Sequence, residues 1–183
     1  MEPMPSSHGA SRPSGPPARG TPHRVPRAGA CLALLLALIG QPHPASAQKV
    51  RITNLTDVDF GILSNLQADS RRSQNICLFS NSAGGAYSVA ASGSGAGSVF
   101  TLSNGSHSLA YEVEWSDQSG QSNGSSLTPN AALTGRTSSA THQFCNSGPA
   151  ASASLIIVLR STDLSQAREG SYSGSLTLLI SAE

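Results

Sequence analysis

Gly120-Gln121-Ser122-Asn123-Gly124 has the letters of a nucleophile elbow, Gly-x-Ser-x-Gly, in which a serine on a sharp strand-to-helix turn attacks an acyl group. The elbow needs a helix to begin just after it. Here Ser125-Ser126-Leu127-Thr128-Pro129 follows, which starts none, and no α/β pattern surrounds His107 or His142. In a chain this rich in Ser and Gly the match is read as coincidence. Asp57 and Asp59 flank Val58, but without an Asp/Asn-rich twelve-residue loop they read as solvated carboxylates rather than a cation site. Glu112 and Glu114 lie two apart and could form an acid/base couple; on the polar face of an amphipathic strand they read as surface. Arg71-Arg72 falls in a stretch that reads as a polar loop. The Asn-x-Ser/Thr triplets at Asn54, Asn104 and Asn123 are glycosylation acceptors only in a eukaryotic host. No catalytic set emerges, and the chain is not expected to be an enzyme or to hold a cofactor or metal.

Cys77 and Cys145 remain. In an exported chain two cysteines read first as one disulfide. It would close a loop of about 68 residues and stabilise the fold by roughly 4 kcal/mol in the chain-entropy model. Metal binding is the weaker reading: His142 lies three before Cys145, and two ligands do not make a zinc site.

Export is itself read from the first 47 residues. Arg12, Arg19, Arg24 and Arg27 precede the apolar run Cys31–Ile39, and Ala45-Ser46-Ala47 closes the segment. A basic region, a short apolar core and a small-x-small site predict a signal peptide over residues 1–47, cleaved after Ala47. The run is too short to span a bilayer. Cys31 would leave with it. Residues 48–183 then form one domain, with seven Lys+Arg against nine Asp+Glu and no basic run. Nucleic acid has no electrostatic footprint to bind.

The elements that must position these residues are strands. Helical periodicity is nearly absent, while short alternating runs recur between Gly, Ser, Asn and Pro. Val50–Ile52 with Val58-Phe60-Ile62 reads as one interrupted strand or two short ones. Gln74–Phe79, Ala86–Ala91, Val99–Leu102 and Leu109–Trp115 follow, and Ser92–Ser98 reads as a long hairpin loop. Asp117–Thr137 reads as a polar excursion across the surface, the one loop long enough to suggest a receptor. Ser138–Cys145 and Ala153–Leu159 read as strands, the latter central because nearly all apolar, and Asp163–Glu169 as one helical turn. In Gly170–Glu183, Tyr172, Gly174, Leu176, Leu178 and Ile180 share one face. Seven to nine mostly antiparallel strands predict an all-β, immunoglobulin-like sandwich. Its last strand is apolar and leaves an edge that something must cover.

Val58-Asp59-Phe60-Gly61, the Cys77 strand, Ala86-Tyr87-Ser88-Val89, Leu109-Ala110-Tyr111-Glu112-Val113 and Gly170-Ser171-Tyr172, in this order and spacing, resemble the spore coat protein U domain family. That family contains subunits of archaic chaperone–usher pili. The resemblance implies a sandwich lacking its final strand, with the gap filled by a periplasmic chaperone strand and then by a neighbouring pilus subunit, a mode of β-strand addition. Export would run through the periplasm and an outer-membrane usher to the cell surface. By position, Tyr172, Leu176, Leu178 and Ile180 would line the acceptor groove from one side, and Ile52 and Phe60 from the other. The chain departs from the family where its first strand has no cysteine and where Gly174 replaces a common Asp. With only Gln48–Asp57 before Val58, it is expected to accept a donor strand without supplying one, as a tip, terminator or minor subunit. The alternative is a self-contained secreted adhesin or carbohydrate- or host-binding sandwich, whose first segment folds back over the last strand.

Overall fold

The computed structural model describes residues 47–183, so the expected leader lies outside the described residues. Ten strands and one short α-helix follow in order, with two single 3-10 turns at Ala83–Gly85 and Ala96–Ser98. They are β1 (Val50–Thr53), β2 (Ser70–Ser80), β3 (Ala86–Gly93), β4 (Thr101–Ser103), β5 (Ser108–Ala110), β6 (Glu112–Ser116) and β7 (Ser125–Ser126). β8 (Ala132–Thr137), β9 (Ala153–Leu159), α1 (Ser161–Leu164) and β10 (Leu176–Ala182) complete the series. All strand pairs are antiparallel, in a five-stranded sheet of order β1-β2-β9-β6-β7, a three-stranded sheet β10-β3-β8 and a hairpin β4-β5. The protein is an all-β antiparallel sandwich. Among the described residues no helix is long and apolar enough to cross a membrane.

β9 is buried at every residue and sits in the middle of the larger sheet, as a continuous apolar run requires. Its inward side chains, Leu155, Ile157 and Leu159, meet Ile76 and Leu78 of β2 and Val113 and Trp115 of β6 in one core with Tyr87, Val89 and Ala91 of β3. Trp115 Nε1 donates to Tyr87 Oη at 2.8 Å across the two sheets. That bond satisfies the one polar atom of the indole, and burial pushes the Tyr87 phenol up to about 12.

The outward face of β9 is buried too, with Ser154, Ile156 and Val158 all at 0% exposure. The cover is the polar excursion. Gly120 N donates to Asn75 Oδ1 at 2.7 Å, Gln121 N to Ser154 Oγ at 3.0 Å, and Ser154 Oγ to Gln118 O at 2.9 Å. Beneath it Glu114, 6% exposed, accepts from Arg71 Nη1 through both oxygens at 3.1 Å and from Gly124 N at 3.0 Å. Three readings change here. Residues 117–124 are a lid on the sheet rather than a free receptor loop, and Glu114 is a buried, paired carboxylate rather than a surface one. Arg71 and Arg72 belong to β2, not to a loop.

Other expectations are corrected as well. Ser138–Cys145 forms no strand: both ends of residues 138–152 are tied to β2, by Ser138 Oγ donating to Leu78 O and by Ser152 N donating to Ile76 O at 2.9 Å, and Cys145 is bonded to Cys77. Leu109–Trp115 is two strands, because Tyr111 marks a break between the β4-β5 hairpin and the main sheet. Ser94–Phe100 joins β3 to β4, which lie in different sheets, and so is no hairpin loop.

Asp69, Glu112 and Arg160 form a surface clamp at the head of α1. Arg160 Nη1 meets Asp69 Oδ2 at 2.8 Å and Arg160 Nη2 meets Glu112 Oε2 at 2.5 Å. The Ser161 backbone N–H and Arg160 hold Asp69 below its ordinary 3.8, and Arg160 holds Glu112 below its ordinary 4.5. Depressed carboxylates contribute stability that is fully present above their unfolded values and lost as pH falls through the folded ones. Urea midpoints are therefore expected to drop as pH falls below about 4, and to drop less steeply in Asp69→Asn/Glu112→Gln. Equal slopes in both chains would refute the assignment.

Candidate functional site

β10 pairs with β3 along one edge, and among the described residues no strand pairs with its other edge. Glu183 N donates to Ala86 O, which makes 183 and 86 a hydrogen-bonded pair, and such pairs alternate along an antiparallel ladder. The odd-numbered residues of β10 therefore bond β3. Leu176, Leu178 and Ile180 aim their N–H and C=O groups at the open edge. Their side chains are the half-buried ones that pack on the core, while Thr177, Leu179 and Ser181 face out. Apolar side chains and free backbone groups thus converge on one slot.

The opposite wall is residues 54–66, a strap without secondary structure. Asn54, with φ of +67°, turns the chain off the edge of β2 as β1 ends. Two β2 side chains then span the gap that opens. Gln74 Oε1 accepts from Thr56 N at 2.9 Å and Gln74 Nε2 donates to Thr56 O at 3.1 Å. Arg72 Nε donates to Asp59 O at 3.3 Å, and its guanidinium lies 5.7 Å from the centre of the Phe60 ring. Val58, Phe60 and Leu63 face the core from this wall.

Between strap and β10 runs a groove of about 1220 Å³, floored by Leu109, Tyr111, Leu155, Ile157 and Leu159. Burial there pushes the Tyr111 phenol up from its ordinary value. Leu164, Ala167 and Tyr172 close in near the start of β10, where Tyr172 Oη donates to Arg168 O at 3.1 Å. At the far end β1 and β10 converge, and Gln48 Nε2 reaches Glu183 O at 3.5 Å. An apolar slot walled by an unpaired strand edge can take an extended peptide, with main-chain bonds for affinity and alternate side chains in the core.

Phe60, Tyr172, Leu176 and Leu178 line this groove. Ile52 and Ile180 do not; they pack on the core beyond its lining, Ile52 opposite Leu78 and Ile180 opposite Val89. Cys77 and Cys145 form a disulfide in a separate small cluster with Ala140 and Phe79. Residues 120–124 form no elbow. A Cβ on Gly124 would sit 2.5 Å from Trp115 O, so glycine is required by the close pass over β6. Among the described residues no cluster of three His, Cys, Asp or Glu could hold a metal ion. Sequence reasoning missed the braces Arg72 and Gln74 and the floor residues Tyr111 and Ile157. The alternation Arg72, Gln74, Ile76, Leu78 carried the signal for the braces.

No protein-family model matches the chain, and no curated protein matches it. It is similar to a solved structure described as "Chaperone-tip adhesin complex is vital for synergistic activation of CFA/I fimbriae biogenesis", at 15% identity, with a TM-score of 0.48 over 74% of this chain. The chain spans 41% of that structure's chain.

Proposed function

We propose that this chain is an exported structural subunit of a surface fibre, whose sandwich is completed by a β-strand from another polypeptide. The observation that carries the reading is β10, whose Leu176 and Leu178 offer free backbone groups and half-buried side chains to the same groove, with Ile180 continuing the unpaired edge beyond its lining. The occupant is a strand with apolar residues at alternate positions, supplied by an assembly chaperone and then by a neighbouring subunit. Val50–Thr53 is committed to β2, so this segment takes the acceptor's side of the contact. That suits a tip, terminator or minor subunit.

The reading is tested by hydrogen exchange with a synthetic peptide of about ten residues, valine alternating with threonine. Amides of Leu176, Leu178 and Ile180 are expected to exchange fast in the chain alone and to gain protection of about a hundredfold or more with peptide. Amides of Thr177 and Leu179 should be protected in both. Slow exchange at the three even positions without peptide, or no change with it, would overturn the reading.

A further inference from the structure

The strap breaks its own sequence pattern at one residue. In an extended chain Val58, Phe60 and Ile62 would share a face. Val58 and Phe60 do face the core, but Ile62 is 99% exposed and Leu63 faces in instead. The cause is Gly61, whose φ of +63° is left-handed and reverses the alternation. A turn holds it there: Gly61 N donates to Asp59 Oδ1 at 2.7 Å. A fully exposed isoleucine beside an apolar groove is costly, and glycine reaches the extended region as easily as the left-handed one.

We propose that the strap is a self-plug for the groove, hinged at Gly61: when this residue becomes extended, Ile62 swings in beside Val58 and Phe60 and competes with an incoming strand. The inference rests on the groove being a strand acceptor. Three observations support it. First, β1 enters beside the last residues of β10, through Gln48 and Glu183, so the strap runs antiparallel to β10 and is oriented to approach its free edge. Second, side chains of Gln74 and Arg72, rather than a backbone ladder, hold it to β2, so little must break for it to move. Third, Leu63 holds the inward place that Ile62 would take in an extended strap, so straightening exchanges one aliphatic residue for another rather than emptying the core. In the bent position seen here Asp59 and Gly61 keep the slot open. In the straight one the chain shields its own apolar cleft until a strand displaces Ile62.

The test uses the full chain, Gly61→Val and the fluorescent valine–threonine peptide. A Cβ at position 61 meets nothing within 4 Å, so the substitution acts through backbone preference. A β-branched residue disfavours the left-handed region and should slow peptide association by about tenfold. Asp59→Ala, which removes the turn's acceptor, should act in the same direction. Ile62→Ser added to Gly61→Val should restore the rate. A readout without peptide is the Ile62 methyl resonance, expected near its solvent position in the natural chain. In Gly61→Val it should be displaced by the Tyr111 and Tyr172 rings of the groove. Faster or unchanged association in Gly61→Val, or a methyl resonance that stays put, would overturn the plug. Should the peptide bind none of the variants, the acceptor reading falls, and the methyl resonance still decides whether the strap moves.

Discussion

A chain with Cys77→Ala and Cys145→Ala together is expected to fold to the same sandwich but to melt roughly 10–20 °C lower, from a loss of about 4 kcal/mol. The fold should survive because the disulfide is not alone in holding the segment around Cys145 in place. Residues 138–152 are held to β2 at both ends: Ser138 Oγ donates to Leu78 O at one, and at the other Leu78 N donates to Ser152 Oγ at 2.9 Å and Ser152 Oγ donates to Leu78 O at 2.6 Å. Arg51 also stacks over the Phe144 ring at 3.9 Å. The loss acts mainly on the unfolded chain, which regains the freedom that a link across 68 positions removes. Cys77 is fully buried and Cys145 is 8% exposed. Reductant should therefore reach the bond only on unfolding, so native protein incubated in mild dithiothreitol and freed of it before heating should keep its melting temperature, whereas a melt run in dithiothreitol should fall towards that of the double variant. A double variant melting within about 3 °C of the natural chain would show that the strands alone set the stability.

The same disulfide was readable from two cysteines and the expectation of export, whereas the buried Glu114 was not. Its partner Arg71 lies 43 positions away, and only the sheet order β2-β9-β6 brings them near each other. β9 and β10 were legible because burial imposes a period: continuous apolar character in the central strand, alternation in the edge one. The strap was misread for the same reason. Val58-Phe60-Ile62 alternates in letters, but one left-handed glycine undoes the alternation in space, and no period-2 count registers a φ angle. Ser138–Cys145 alternates as well, yet its ends belong to β2 and its cysteine to a disulfide, so tertiary ties override local pattern. Of the residues named from the sequence, Phe60, Tyr172, Leu176 and Leu178 lie along the walls of the groove. Its floor was not legible, because Tyr111 and Ile157 read as ordinary core until one learns that nothing among the described residues pairs with the edge above them.

Two prolines placed one residue apart on β10 should give opposite outcomes. Leu179 bonds β3, so Leu179→Pro removes a ladder hydrogen bond inside the sheet and forces its ring against the neighbouring strand; the chain is expected not to fold. Leu178 points its N–H to the open edge, and proline is tolerated at an edge position whose N–H has no partner. Leu178→Pro should fold, with a stability loss of about 2 kcal/mol from the smaller side chain in the core. It should nevertheless lose the valine–threonine peptide by about a hundredfold or more. The ring occupies the place of the incoming backbone, and the central donor of the slot is gone. Leu178→Ala serves as the control: it costs a similar amount of stability but keeps the N–H, and should weaken the peptide by only about tenfold. Equal weakening in the alanine and proline variants would mean that the peptide is held by apolar contact alone and adds no strand to the sheet. The contrast separates strand addition from mere occupancy of a greasy cleft, which volume and lining cannot do.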